Sequence, residues 1–214
     1  MTVFVKKFDA PPFNRAEILR YAGCKGTTSE IEALLDECIK ECADVFSYSI
    51  CYTEVPVRCD GKTLDLSFLK TTSTALMKNL ENCKSAVVFG ATVGIGIDRL
   101  IARYGKISPA KAVMFQAIGA ERIEALCDMA EDDIQGFTAP RFSPGYGDFS
   151  LEFQKDFFKL LDPMRKIGLS LNESLLMSPT KSVTAIVGIS DRPCRHDKNC
   201  SACDNTDCIF RKDK

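Results

Sequence analysis

Two clusters of side chains in this sequence have the types and spacing that chemistry requires. The first is Cys194, Cys200, Cys203 and Cys208, a C-x5-C-x2-C-x4-C run. Thiolates are soft ligands, and four of them can close a tetrahedral zinc site or hold a 4Fe-4S cluster, one per iron. His196, the only histidine, lies two residues from Cys194 and could replace it as a ligand. Free cysteines on a flexible tail, or reversible disulfides, are competing readings of the same spacing. The second cluster is Arg141-Phe142-Ser143-Pro144-Gly145-Tyr146-Gly147. Here Pro144-Gly145 predicts a type II turn, because proline presets the first central dihedral and glycine accepts the positive one that follows. Such turns are common. This one also carries an arginine able to grip a carboxylate through two parallel hydrogen bonds, and a tyrosine with a polar tip.

A weaker signal lies at Ala91-Thr92-Val93-Gly94-Ile95-Gly96-Ile97-Asp98-Arg99, where close glycines leave a strand and enter a helix. Backbone amides in that geometry can approach an anion. The dinucleotide fingerprint is incomplete, because Arg99 stands at its last glycine, so a glycine-bearing turn is the better reading.

The elements that must position these residues follow from periodicity. Asn14 and Ser29 open helices, the second with apolar positions at Ile31, Leu34, Leu35, Cys38 and Ile39. Strand patterns run from Val45 to Leu66, and Asp60-Gly61 supplies the turn of a hairpin between 55–57 and 63–66. Ser73 to Leu80 reads as a helix, Ser85 to Thr92 as a buried strand, and Ile97 to Tyr104 as a helix. Ser108-Pro109 starts a long helix reaching about Ile134, with the serine side chain expected to cap it. Two helices, at Leu151 to Leu161 and Pro163 to Ile167, precede a last strand at Ser182 to Ile189. These elements give an α+β fold with at least one antiparallel hairpin.

Of the 214 residues, 45% are apolar and 27% charged, enough to bury a core. One domain is expected over 1–190, with 191–214 as a cysteine-rich appendage. Lysine and arginine number 28 against 29 acidic residues, and the absence of a basic stretch speaks against nucleic acid. The N-terminus lacks the apolar core of a signal peptide, and no stretch approaches the roughly 20 apolar residues of a membrane span. A cytoplasmic protein is expected. There, Cys24, Cys38, Cys42, Cys51, Cys59, Cys83 and Cys127 read as small buried apolar residues rather than a disulfide framework.

One ordered set of these residues points further. It comprises Ala91-Thr92-Val93-Gly94 with Asp98, the long helix carrying Glu121, Glu124 and Asp128, Arg141-x-x-Pro144-Gly145-Tyr146, and Glu173-Ser174-x-x-Met177 before a strand. Over most of residues 15–190 this order resembles the activation domain of cobalamin (vitamin B12)-dependent methionine synthase. The most specific piece is the Arg-x-x-Pro-Gly-Tyr loop, which in that family binds S-adenosylmethionine.

The resemblance implies a twisted, mainly antiparallel sheet bent around a groove and flanked by helices. Arg141, Ser143, Pro144, Gly145 and Tyr146 would hold the ligand. Arg141 would pair with its carboxylate, Tyr146 would offer a hydroxyl or a stacking face, and the backbone of Ser143 and Gly145 would approach closely. Asp9, Asp36, Glu121, Glu124 and Asp128 are the candidates to meet the ligand ammonium. The family's tyrosine on the last strand falls near Ile186 or Val187, which is a departure. No residue takes a catalytic acid or base role.

The implied activity is reductive activation in methionine biosynthesis. A cobalamin-binding synthase, or a related corrinoid protein, brings its own cobalamin. A donor such as flavodoxin or ferredoxin reduces it, and S-adenosylmethionine methylates it, a methyltransferase chemistry shared with the partner. The cysteine tail lies outside the family's domain. It leaves open an alternative, a metal-bearing redox or docking protein with no S-adenosylmethionine site.

Overall fold

The computed structural model describes residues 1–193. Cys194, His196, Cys200, Cys203 and Cys208, and with them the expected metal site, lie outside the described residues. In chain order the elements are β1 (Phe4–Phe8), α1 (Arg15–Tyr21), α2 (Ser29–Cys42), β2 (Tyr48–Pro56), β3 (Arg58–Cys59), β4 (Leu64–Asp65), β5 (Lys70–Thr71) and α3 (Thr74–Asn79). Then follow β6 (Ser85–Thr92), α4 (Gly96–Ile107), α5 (Pro109–Asp132), β7 (Phe137–Thr138), α6 (Gln154–Leu161), α7 (Pro163–Ile167), β8 (Ser170–Leu171), β9 (Met177–Ser178) and β10 (Ser182–Ser190).

Five strands in the order β1-β2-β6-β10-β7 pair antiparallel throughout, and the sheet curls into a half-barrel. Its central strands are apolar on both sides because both sides are covered. Ile50, Phe89, Ala91, Ala185 and Val187 face α1, α2, α4 and α5, while Cys51, Val55, Ala86, Val88 and Ile186 face α3, α6 and the small β3-β4-β5 sheet. Period-two alternation therefore sorts residues between two cores rather than between core and water.

Helix starts follow the capping chemistry in part. The side chains of Asn14 and Thr28 accept the amides of Glu17 and Ile31. Ser108 does not cap α5 through its side chain, contrary to expectation. It sits between two helices, its amide donates to Tyr104 O to close α4, and Pro109 has no N–H left to satisfy. The Asp60-Gly61 hairpin forms, with Asp60 Oδ1 accepting the amides of Lys62 and Thr63, but it joins β3 to β4 rather than starting from 55–57, because Val55 and Pro56 end β2 and pair with β6.

Cys38, Cys42, Cys51, Cys83 and Cys127 are buried, as expected of small apolar residues. Burial pushes the Cys38 thiol up to about 11 and Cys42 up to about 12, far from a reactive thiolate. Cys24 is only partly buried and Cys59 is exposed, because β3 is a two-residue strand with both positions facing solvent. Among the described residues no helix is long and apolar enough to cross a membrane.

The largest fully buried side chain is Arg122, on α5. Its Nε donates to Glu121 Oε2 at 2.5 Å and its Nη2 to Glu121 Oε1 at 2.5 Å. The same guanidinium donates to the carbonyls of Pro11 and Pro12 at 2.6 and 2.8 Å and lies 4.2 Å from the centre of the Phe13 ring. Asn14 N completes the network by donating to Glu121 Oε1 at 3.2 Å. This pair ties the segment before α1 to the long helix. It also removes Glu121 from the candidates for a ligand ammonium, since its carboxylate is buried and already bonded on both oxygens.

Candidate ligand-binding site

After β7 the chain follows the outer edge of β10. Ala139 N donates to Gly188 O at 2.9 Å, and Phe142 and Ile186 exchange both backbone hydrogen bonds at 2.9 and 2.8 Å. The chain then turns away. Tyr146 N donates to Ser143 O at 3.1 Å, enclosing Pro144 and Gly145, and Gly145 has φ +96°. That is the expected type II turn, with glycine where a side chain would be strained.

Helix α3 holds this loop at both ends. Asp148 accepts from Ser73 Oγ, Thr74 Oγ1 and the amides of Thr74 and Ala75 at 2.5 to 3.1 Å. At the other end of the helix, Asn79 Nδ2 donates to Pro140 O at 3.1 Å. Neither anchor was apparent from sequence, although Ser73-Thr74 ahead of an apolar run is an N-cap signal that leaves amides to be satisfied. Phe149 stacks on Phe153 at 4.8 Å and Tyr146 stands edge-on to Phe142 at 5.8 Å, so the turn rests on aromatic packing as well.

The Ser73 and Thr74 hydroxyls hold the Asp148 carboxyl well below the usual carboxylate range. A carboxyl depressed on folding contributes stability that is complete above its unfolded pKa of about 4 and is lost as pH falls through the lower folded value. Asp148→Asn is therefore expected to melt below the wild type at pH 7, with the gap narrowing below about pH 4. Calorimetry at the two pH values checks this, and equal melting at pH 7 would show that the clamp contributes nothing.

Arg141 sits where the loop meets α5. Its Nη2 lies 2.9 Å from Glu124 Oε2 and 3.1 Å from Asp128 Oδ1, and its Nη1 lies 2.8 Å from Glu131 Oε1. Residues 124, 128 and 131 are spaced to share one helix face. Glu131 belongs to that stripe and was not singled out from sequence. The contact to Glu131 is close enough for charge attraction but not aligned for a hydrogen bond, so Nη1 retains donor capacity. The guanidinium is thus already surrounded by carboxylates, where sequence suggested an arginine waiting for one. Partial desolvation of the Tyr146 phenol, with Glu124 nearby, pushes it above its ordinary value, although the residue as a whole is half-exposed.

Arg141, Ser143, Pro144 and Tyr146 line one cavity of about 390 Å³ together with Glu124, with Gln154 at the start of α6, and with Ser182, Val183 and Thr184 of β10. Gly145 shapes the turn without lining the cavity. Arg141 and Glu124 also face a wider groove that Asp128 and Glu131 line. Of the acidic candidates, Glu124 lines the cavity and Asp128 stands beside Arg141. Asp36 pairs with Arg15 at 2.5 Å, and Asp9 lines a separate cavity with Lys7 and Lys166. Ile186 and Val187 are both fully buried, so β10 meets the cavity through 182–184 instead.

The glycine segment after β6 has a packing explanation. A Cβ at Gly96 would lie 2.2 Å from Val45 O, so the residue lets the start of α4 approach the segment before β2. Asp98 accepts from the amide and hydroxyl of Thr180 and so holds the turn leading into β10. Among the described residues no group of histidine, cysteine, aspartate or glutamate could hold a metal ion.

The curled antiparallel sheet flanked by helices has the fold of the methionine synthase activation domain. Among solved structures the chain is similar to the MetH reactivation domain bound to AdoHcy (S-adenosylhomocysteine), with TM-score 0.61 and 13% identity over 92% of this chain and 81% of that one. No protein-family model matches the sequence, and no curated protein matches it.

Proposed function

We propose that this protein binds S-adenosylmethionine in the loop cavity and presents its methyl group to the cobalamin of a partner, reactivating a cobalamin-dependent methionine synthase or a related corrinoid protein. One observation carries this reading. Arg141, the one arginine lining the cavity among the described residues, is flanked by Glu124, with Asp128 and Glu131 against its other faces. S-adenosylmethionine has one carboxylate and two cationic centres, the ammonium and the sulfonium. Arg141 matches the first, Glu124 the ammonium, and the excess of negative charge favours the cation as a whole. That the similar solved domain is bound to AdoHcy, the demethylated product, supports the same ligand class.

This chain contributes positioning rather than acid–base chemistry. The clamped turn holds the ligand, and Tyr146, 56% exposed, covers it at the surface a partner would approach. Fixing the methyl carbon in line with its acceptor makes the transfer effectively unimolecular. A docked cobalamin, reduced beforehand by a donor such as a flavodoxin or ferredoxin, would supply the nucleophile, and S-adenosylhomocysteine would leave with the C–S bonding pair on sulfur. The reaction belongs in the cytoplasm, where the buried thiols stay reduced. Docking is transient, because a synthase must release its activator to resume turnover.

The four-cysteine tail would serve as a zinc or 4Fe-4S site that docks or feeds electrons to the partner, a reading supported by cysteine spacing alone. Metal and sulfide analysis of the full chain, purified without oxygen, tests it.

The test of the main reading needs no partner at first. S-adenosylmethionine at a hundredfold excess over its Kd should stabilise the isolated protein by about 2.7 kcal/mol, raising Tm by roughly 5–10 °C. Adding an oxidised cobalamin-loaded synthase and a reductant should then produce the methylcobalamin spectrum only when every component is present. An unshifted Tm at millimolar ligand, with and without partner, would sink the proposal.

A further inference from the structure

The cavity contains two polar side chains whose bonding capacity the fold leaves unused. Gln154 is 6% exposed and Thr184 2% exposed, and both line the cavity. Yet Gln154 Oε1 and Thr184 Oγ1 have no hydrogen-bond partner among the described residues. Their neighbour Ser182 is unlike them, since its hydroxyl is within 2.9 Å of Thr92 Oγ1 and 2.8 Å of Pro179 O. Burying an acceptor without a partner is costly, and folds retain such groups where something else supplies the donor.

The backbone beside them is also open. Ile186 spends its N–H and C=O on Phe142, and the alternation of an antiparallel strand turns those of Thr184 to the same side. Beyond Phe142 no described strand continues along that edge. Gln154 is held in place by its surroundings, following the Phe153 ring stacked on Phe149 and preceding the fully buried Phe157.

Among the described residues, Arg141 and Glu124 are the only charged ones lining the cavity. The wall made by Gln154 and Thr184 is neutral and rich in hydrogen-bonding groups, which suits the uncharged end of an adenosyl ligand. A carboxamide carries an acceptor and a donor side by side, the pattern that pairs with the amino group and adjacent ring nitrogen of adenine. We propose that Gln154, with Thr184 beside it, reads the adenine of the ligand: Gln154 Oε1 accepts from the exocyclic amine, its amide nitrogen donates to the neighbouring ring nitrogen, and the Thr184 hydroxyl makes a second contact to the base. This inference rests on the S-adenosylmethionine reading and deepens it.

The experiment is calorimetric titration of S-adenosylhomocysteine and S-inosylhomocysteine, which carries a carbonyl in place of the amine, into the full chain and into Gln154→Leu and Thr184→Val. Wild type should prefer the adenosyl ligand by roughly tenfold or more. Gln154→Leu should lose most of that preference, and Thr184→Val part of it. Gln154→Leu should also melt no lower than wild type, because it removes a buried atom without a partner. An adenosyl-to-inosyl ratio unchanged in both variants would overturn the inference, assigning the two atoms to buried water, while leaving the function reading intact. Failure of wild type to bind either ligand would overturn both.

Discussion

Arg141→Ala should remove measurable S-adenosylmethionine binding. The guanidinium packs against the stripe formed by Glu124, Asp128 and Glu131 and is only 21% exposed, and in the proposed complex it would lie between that stripe and the ligand carboxylate. Truncation would delete the carboxylate contact and leave the neighbouring acidic side chains without their counter-charge. Removing one partner of such a desolvated charge pair costs about 2–5 kcal/mol, a loss of roughly 30-fold or more in affinity. Calorimetric titration measures it, with thermal unfolding as the control for fold. Arg141→Lys should recover only part of the loss, because an ammonium cannot make two parallel bonds to a carboxylate. Glu124→Gln should weaken S-adenosylmethionine through the lost ammonium partner. Binding by Arg141→Ala equal to wild type would mean that Arg141 serves only to neutralise α5.

Arg122→Ala should be the most destabilising single change away from the cavity. It would leave Glu121 buried without its counter-ion, free the carbonyls of Pro11 and Pro12, and empty the space over Phe13. Breaking a buried pair from one side costs about 3–5 kcal/mol, a fall in Tm of roughly 10 °C for a domain of this size. The double change Arg122→Met with Glu121→Leu should recover much of that, since apolar residues of similar volume often replace a buried ion pair without loss. Urea unfolding of the three variants separates the outcomes. A double variant no better than Arg122→Ala would show that the bonds to Pro11 and Pro12, rather than the stranded carboxylate, carry the stability.

The two changes act at separate places on α5, and that separation was not visible in the sequence. Glu121, Glu124 and Asp128 looked equivalent there, three acidic residues on one long helix. In the fold Glu121 turns inward onto Arg122, whereas Glu124 and Asp128 lie on the face that Arg141 reaches. A helix presents a new direction every 100° or so, and which direction is interior depends on what packs against it.

Much else was legible because it is local. Proline before glycine sets a pair of backbone dihedrals wherever it occurs, so the turn at 143–146 followed from its own residues. The apolar run at 85–92, the turn at Asp60-Gly61, and the cap at Asn14 likewise rest on neighbours in the chain, while the second helix takes its cap from Thr28, one residue before the Ser29 expected to open it. Composition and these periods together determined an α+β fold, and the Arg-x-x-Pro-Gly-Tyr order supplied the loop proposed above to hold the ligand.

The tertiary structure decided what surrounds that turn. Asp148 reaches Ser73 across 75 positions, Asn79 reaches Pro140 across 61, and Gln154 meets Thr184 across one cavity from separate elements. No local preference encodes such contacts. They exist because burying two apolar faces of one sheet brings α3, α6 and the edge of β10 together, and the polar residues carried on those elements then find their partners or wait for a ligand to supply them.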